Sequence, residues 1–221
     1  MTKILTPEEE FSGDCNLFYT NTEVNRYNCS SGMRKTQQEL TQIALSISNF
    51  DLENKSKLEN SKLKVLDIGC GSCFSLEYLL ELGFKKENLF GIDPAREMIN
   101  CSLKKDFNVR QLGFEELEKV AKEFKLKEEN KFDLIISISA LQWILAGKEE
   151  MEIKNTIKKI GRNIGQLLAQ NGKCVIQFYV SNEEQFQVVC NAFNRSSLKS
   201  EEFIYNKDSA KKRKYFIMLE K

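Results

Sequence analysis

The stretch Lys64-Val-Leu-Asp-Ile-Gly-Cys-Gly-Ser72 limits the fold of this chain more than any other. Val65, Leu66 and Ile68 read as a strand buried on both faces, as in a parallel sheet. Gly69 and Gly71 then turn the backbone into Phe74-Ser-Leu-Glu-Tyr-Leu-Leu-Glu81, which reads as a helix. A glycine turn at this point lets the backbone approach a ligand at a helix N-terminus. A second strand, Asn88-Leu-Phe-Gly-Ile92, ends in Asp93, about two dozen positions after Gly69. In nucleotide-binding βαβ units that is where an acid accepts hydrogen bonds from ribose hydroxyls.

The rest of the chain repeats the alternation. Arg96–Lys104 reads as a helix, Asp106–Arg110 as a short third strand, and Phe114–Lys125 as a helix. Phe132-Asp-Leu-Ile-Ile-Ser-Ile138 is a buried strand. Ile153, Ile157, Ile160, Ile164 and Leu167 recur at steps of three and four and predict one long amphipathic helix, closed by Asn171-Gly172. The strand Lys173–Tyr179, the helix Glu183–Ala192 and two terminal strands, Glu202–Tyr205 and Lys214–Leu219, complete the pattern. It predicts an α/β, Rossmann-like fold with a mostly parallel seven-stranded sheet and helices on both faces. Residues 51–221 are expected to form this domain. Residues 1–50 are expected to be an N-terminal extension with a helix over Thr36–Ser48. Residues 1–18 show no clear period, and Asp51–Ser61 reads as a polar loop.

Two residues choose the ligand. A dinucleotide turn has a third glycine where this chain has Phe74, and an apolar residue where it has Asp67. Asp-x-Gly-x-Gly resembles the first motif of the S-adenosylmethionine (SAM)-dependent Rossmann-like methyltransferases, in which the acid helps hold the methionine end of the cofactor. Cys70 and Cys73 have the spacing of a redox or zinc pair, yet no second pair lies nearby and the chain has no histidine. They read as small residues of the turn, and no metal is expected. The absence of histidine also excludes Ser-His and Cys-His triads. A net charge of +1 does not announce a nucleic-acid binder. No apolar run suits a membrane span or signal peptide, so an intracellular protein with no membrane association is expected.

Four stretches carry a closer resemblance: Leu17–Tyr27 with Ser30-Ser-Gly-Met33 and Gln37; Leu66–Ser72; Ile136-Ser-Ile-Ser-Ala-Leu-Gln-Trp143; and Gln177-Phe-Tyr179 with Asp208-Ser-Ala-Lys-Lys212. Together they resemble the eukaryotic small-subunit (18S) rRNA guanine-N7 methyltransferases. The resemblance implies SAM held by Asp67, Gly69, Cys70, Gly71, Asp93, Pro94, Met98, Gln111, Leu112 and Ser137, and a target base met by Trp143 and Tyr27. Packing in the core is the other reading of Trp143. It further implies a small zinc-binding activator protein as a heterodimer partner, rRNA within a pre-ribosomal particle as substrate, and a nuclear or nucleolar setting with cytoplasm as a further option. The family usually has glycine at the place of Cys73, arginine at that of Gly32, for which Arg34 is a spatial substitute, and an acid near Gln111. It also carries a basic tail beyond the last strand, where this sequence runs to Lys221.

The chemistry agrees with such a substrate. Guanine N7 has a free lone pair and no proton to lose, so a site without histidine suffices. Exocyclic amine methylation often uses an Asn/Asp-Pro-Pro-Tyr turn after the fourth strand, where this chain has Ser137–Trp143. The cluster Lys207, Lys211-Lys-Arg-Lys214 reads either as a phosphate contact or nuclear signal, or as a solvated turn. Two other functions are compatible with the sequence: a small-molecule C- or O-methyltransferase, and a SAM-binding ribosome-assembly factor with dispensable activity.

Overall fold

The computed structural model describes residues 14–49, 62–127, 131–209 and 212–221. The expected loop 51–61, the first thirteen residues and Lys211 lie outside them. Seven strands form one sheet in the order β3-β2-β1-β4-β5-β7-β6. They are β1 (Val65–Ile68), β2 (Leu89–Asp93), β3 (Asn108–Gln111), β4 (Phe132–Ile138), β5 (Leu168–Phe178), β6 (Lys199–Tyr205) and β7 (Lys214–Glu220). The first five run parallel, and β7 is antiparallel to both β5 and β6. The expected Rossmann-like class is therefore the one observed. β1 and β2 are buried at every position, which is why they read as unbroken apolar runs.

Two apolar layers flank the sheet. One holds α8 (Glu150–Leu167) and α9 (Glu183–Phe193), with Ile153, Ile157, Ile160, Ile164 and Leu167 all buried. The other holds α3 (Ser31–Ile47), α4 (Phe74–Glu81) and Ile99 of α5 (Arg96–Lys104). Each large aliphatic side chain so buried stabilises the fold by about 1.5–3 kcal/mol. No helix among the described residues is long and apolar enough to cross a membrane.

Several boundaries differ from the sequence reading: β3 begins at Asn108 rather than Asp106, β6 begins at Lys199 rather than Glu202, and three further differences have a clear local cause. Asn171-Gly172 does not close the long helix. That helix ends at Leu167, and β5 begins at once with Leu168, which is buried and pairs with Phe132. Asn171 takes a left-handed φ of 62°, and the β4–β5 register shifts between Phe132 and Leu134, so the Asn-Gly pair is an irregularity inside a strand. Phe114–Lys125 is not one α-helix. It is a 3₁₀ segment, Phe114–Lys119, followed by the short α6 (Val120–Glu123). Glu116 leaves helical geometry, and its carboxylate accepts the Gly113 N–H at 3.3 Å. Finally, α3 starts before Thr36, because Ser30 Oγ accepts the Met33 N–H and caps it.

Ahead of α3 lie α1 (Cys15–Phe18), capped by Asp14, and α2 (Asn21–Cys29), capped by Thr20. Phe74 fastens this N-terminal group to the sheet domain. The Tyr27 ring stacks on it at 5.4 Å, and the Arg34 guanidinium lies 4.3 Å above it. Arg34 and Lys105 both pair with Glu77, at 2.6 and 2.8 Å. The residue that departs from a dinucleotide turn is thus the anchor of the N-terminal helices. Arg34 is committed to that anchor.

Candidate functional site

The chain leaves β1 through Gly69 at φ 78°, and Gly69 and Cys70 donate their N–H groups to the Ile92 carbonyl at 2.8 and 3.0 Å. A Cβ on Gly69 would come within 2.2 Å of the Ala140 Cβ, so glycine is required there by contact as well as by φ. Gly71 donates its N–H to Asp93 Oδ2 at 2.9 Å, and Ala95 donates to Asp93 Oδ1 at 2.8 Å. Ser102 Oγ and Lys105 Nζ donate to the carbonyls of Gly71 and Ser72. Cys73 sits at φ 69°, a conformation that costs a non-glycine residue roughly 1–2 kcal/mol.

A cavity of about 610 Å³ opens beside this turn. Its walls come from several of the stretches that the sequence singled out. Gly69–Ser72, Asp93, Pro94 and Met98 form one side, and Gly113–Glu115 extend it. Ile138, Ser139, Ala140, Trp143 and Tyr179 form the second. Asp14–Asn16, Tyr19, Tyr27, Met33, Thr36 and Gln37 of the N-terminal helices form the third. Trp143 is half-buried, with Phe18 and Tyr19 at 5.7 and 5.6 Å, so it packs on the N-terminal helices and lines the cavity at once.

Of the residues expected from the sequence, Gly69, Cys70, Gly71, Asp93, Pro94, Met98, Tyr27 and Trp143 meet on this cavity. Asp67, Gln111, Leu112 and Ser137 do not line it. Asp67 lies buried beneath the turn and Ser137 within β4, while Leu112 points into the core. Gln111 is exposed, and its Nε2 donates to the Pro94 carbonyl at 3.2 Å. Ser139 and Thr36 were not singled out. The signal for Ser139 is conformational, a left-handed φ of 57°, which the residue letter does not reveal.

The electrostatics favour a cationic guest that also donates hydrogen bonds. Burial, reinforced by the charge of Asp93, pushes the Asp67 carboxyl up to about 8. Burial pushes Asp93 up to about 6, against the pull of its two backbone amides. Asp67 Oδ1 is buried without a hydrogen-bond partner. A bound cation would favour the ionised form of these buried acids. SAM carries an ammonium, a sulfonium and a ribose diol, and the residues fit it: Asp93 has lone pairs left for the diol, and Asp67, with an unspent acceptor oxygen, would add negative potential under the turn once the bound cation favours its ionised form.

The Asp67 shift makes the free protein pH-sensitive. The fold favours the neutral acid, so its contribution to stability is complete below 3.8 and is lost as pH rises through about 8. Chemical denaturation should therefore show wild-type stability falling between about pH 5 and about pH 8. The Asp67→Asn variant should show a shallower fall. Equal slopes for the two proteins would contradict the assignment.

Comparison with known proteins gives the same picture. The probable 18S rRNA (guanine-N(7))-methyltransferase of Dictyostelium discoideum is 26% identical over 204 residues, covering 92% of this chain and 66% of the relative. The chain thus spans about two thirds of the length of that relative. A malonyl-[acyl-carrier protein] O-methyltransferase of Bacillus anthracis is 30% identical over 158 residues, or 71% of this chain and 51% of the relative. Among solved structures, the magnesium protoporphyrin IX methyltransferase ChlM of Synechocystis PCC 6803 superposes with a TM-score of 0.59 at 13% identity, covering 98% of this chain and 99% of the other. The family model described as a methyltransferase domain matches residues 59–218. That span contains the glycine turn, Asp93 and the corner after β4, and the chain belongs to the methyltransferase-domain family.

Proposed function

We propose that this protein transfers the methyl group of SAM to N7 of a guanine in small-subunit ribosomal RNA during ribosome biogenesis, in the nucleus or nucleolus. One observation carries the proposal: the N-terminal helices and the corner after β4, two stretches of the resemblance to 18S rRNA guanine-N7 methyltransferases, converge on the cavity beside the glycine turn. The Dictyostelium relative bearing that name matches over nearly the whole chain. When bound, SAM supplies a methyl carbon on a good leaving group. The protein's task is then to position a lone pair in line with that carbon. Asp93 would hold the ribose, and Asp67, buried beneath the turn, would act on the positive methionine end through its charge rather than by lining the cavity. Trp143 and Tyr27 offer aromatic faces to the base, worth ~1–3 kcal/mol per stacked base. The corner after β4 is the neutral Ser139-Ala140, which suits a nucleophile that has no proton to give up.

The partner we propose is a small zinc-binding activator protein that adds a strand to the sheet edge. Among the described residues β3 is one edge of the sheet and pairs only with β2. An unpaired edge is an aggregation template, and strand addition satisfies it. Its Val109 carbonyl already accepts from the Arg110 guanidinium at 2.8 Å, which blunts the edge of the free chain. Purified alone, the chain should be poorly soluble and weakly active. Co-expression with the activator should raise both soluble yield and methyl transfer from labelled SAM to small-subunit RNA. A stable, fully active monomer would rule the obligate partner out. Transfer to a small carboxylic acid or an acylated carrier protein, with none to RNA, would favour O-methylation, the activity in the name of the Bacillus relative.

A further inference from the structure

Ser139 is held in the cavity wall by four hydrogen bonds. It is a non-glycine residue at φ 57°, and such a conformation persists only where its surroundings over-determine it. Here two buried glutamines do so. The Ser139 N–H points to the backbone carbonyl and the Oε1 of Gln177, at 3.0 Å each, and Ser139 Oγ donates to the same Oε1 at 2.8 Å. The Ser139 carbonyl accepts from Gln142 Nε2 at 2.7 Å. Gln177 is fully buried and Gln142 nearly so, and neither lines the cavity. The adjoining Ala140 presses on Gly69, so the strained corner and the glycine turn are fitted to each other.

This arrangement leaves Ser139 one thing to offer. Its N–H, hydroxyl hydrogen and carbonyl are all engaged. The lone pairs of Oγ are not, and Ser139 lines the cavity. A neutral hydroxyl fixed this way can accept but not donate. The reacting edge of a guanine presents lone pairs at N7 and O6, which an acceptor would repel. The complementary group is an electron-poor C–H or a positive centre. Resting on the reading of the site as a SAM site, we infer that Ser139 Oγ faces the sulfonium methyl of the donor and that Gln177 is the positioning residue that turns the hydroxyl hydrogen away from it. The pair would favour the charged donor over S-adenosylhomocysteine, which lacks both the methyl and the charge.

The test is the ratio of dissociation constants for SAM and S-adenosylhomocysteine, measured by calorimetry with no acceptor present. Ser139→Gly removes the hydroxyl and relieves the left-handed strain, so it should remain folded. Its preference for SAM should fall roughly two- to fivefold, the range of a C–H···O contact. Gln177→Met, which removes the acceptor oxygen, should lose the same preference. Gln177→Glu, which keeps such an oxygen, should retain or increase it. If Gln177→Met does not fold, Ser139→Gly decides the matter alone. An unchanged ratio in Ser139→Gly overturns the inference while leaving the SAM site intact. A wild-type protein that binds neither compound overturns the SAM reading itself and this inference with it.

Discussion

Depleting cells of this protein should remove one reduction-and-aniline cleavage from small-subunit rRNA. N7-methylguanine carries a fixed positive charge, and after mild reduction its sugar–phosphate strand is cut by aniline. The loss should be complete at a single nucleotide, because the modification is all-or-none for each molecule. Re-expression of the wild-type chain should restore the cut. An Asp93→Ala variant, expressed at equal level, should not. Free RNA is expected to be a poor substrate in vitro, since a net charge of +1 neutralises few phosphates and leaves docking to the particle and the activator. The same cleavage pattern before and after complete depletion would exclude the proposed activity. Cleavage restored by Asp93→Ala would exclude the donor site instead.

The second large effect is on the donor. Asp93→Ala should weaken SAM binding by ~1.5–3 kcal/mol, roughly ten- to 150-fold, the range for a hydrogen bond to a charged group. The carboxylate also orders the turn, since it accepts from Gly71 and Ala95. Asp93→Asn separates the two roles. It keeps one acceptor oxygen but no charge, so it should bind more weakly than wild type and more tightly than Asp93→Ala. Calorimetry giving the same affinity for all three would remove Asp93 from the site, whatever their melting temperatures.

The sheet was legible in the sequence because its strands are buried on both faces. Phe132–Ile138 was read to the residue, and six of its seven positions are buried. The pattern of apolar letters alone sets such a strand. The start of β5 was not legible, because Asn171-Gly172 is a strong turn signal. What overrides it is tertiary: Leu168 finds Phe132 across the sheet. The glycine turn and Asp93 were legible because glycines and acids at strand ends have few other uses, whereas Asp67, Gln111, Leu112 and Ser137, taken from the resemblance, do not line the cavity. The acceptor half was less legible. Helical period does not reveal a four-residue helix such as Cys15–Phe18, whose start is set by the Asp14 cap. Ser139 could not be found from its letter, since its importance lies in a dihedral angle and in Gln177, thirty-eight residues away.

The third wall of the cavity comes from residues 14–37, ahead of the span that the methyltransferase-domain model covers. Under the proposed function, part of the acceptor wall therefore lies ahead of the domain that carries the glycine turn and Asp93, while Trp143 lies within that domain. Substitutions among Asp14–Gln37 should change this wall while the glycine turn and Asp93 stay as they are. Exchange of this N-terminal leader would replace that wall while Trp143 stays in place. The Tyr27–Phe74 stack and the Arg34–Glu77 pair are the joint that any replacement leader would have to remake. Chimeras that carry the leader of another methyltransferase on residues 62–221 should inherit the donor from this chain and the acceptor from the graft.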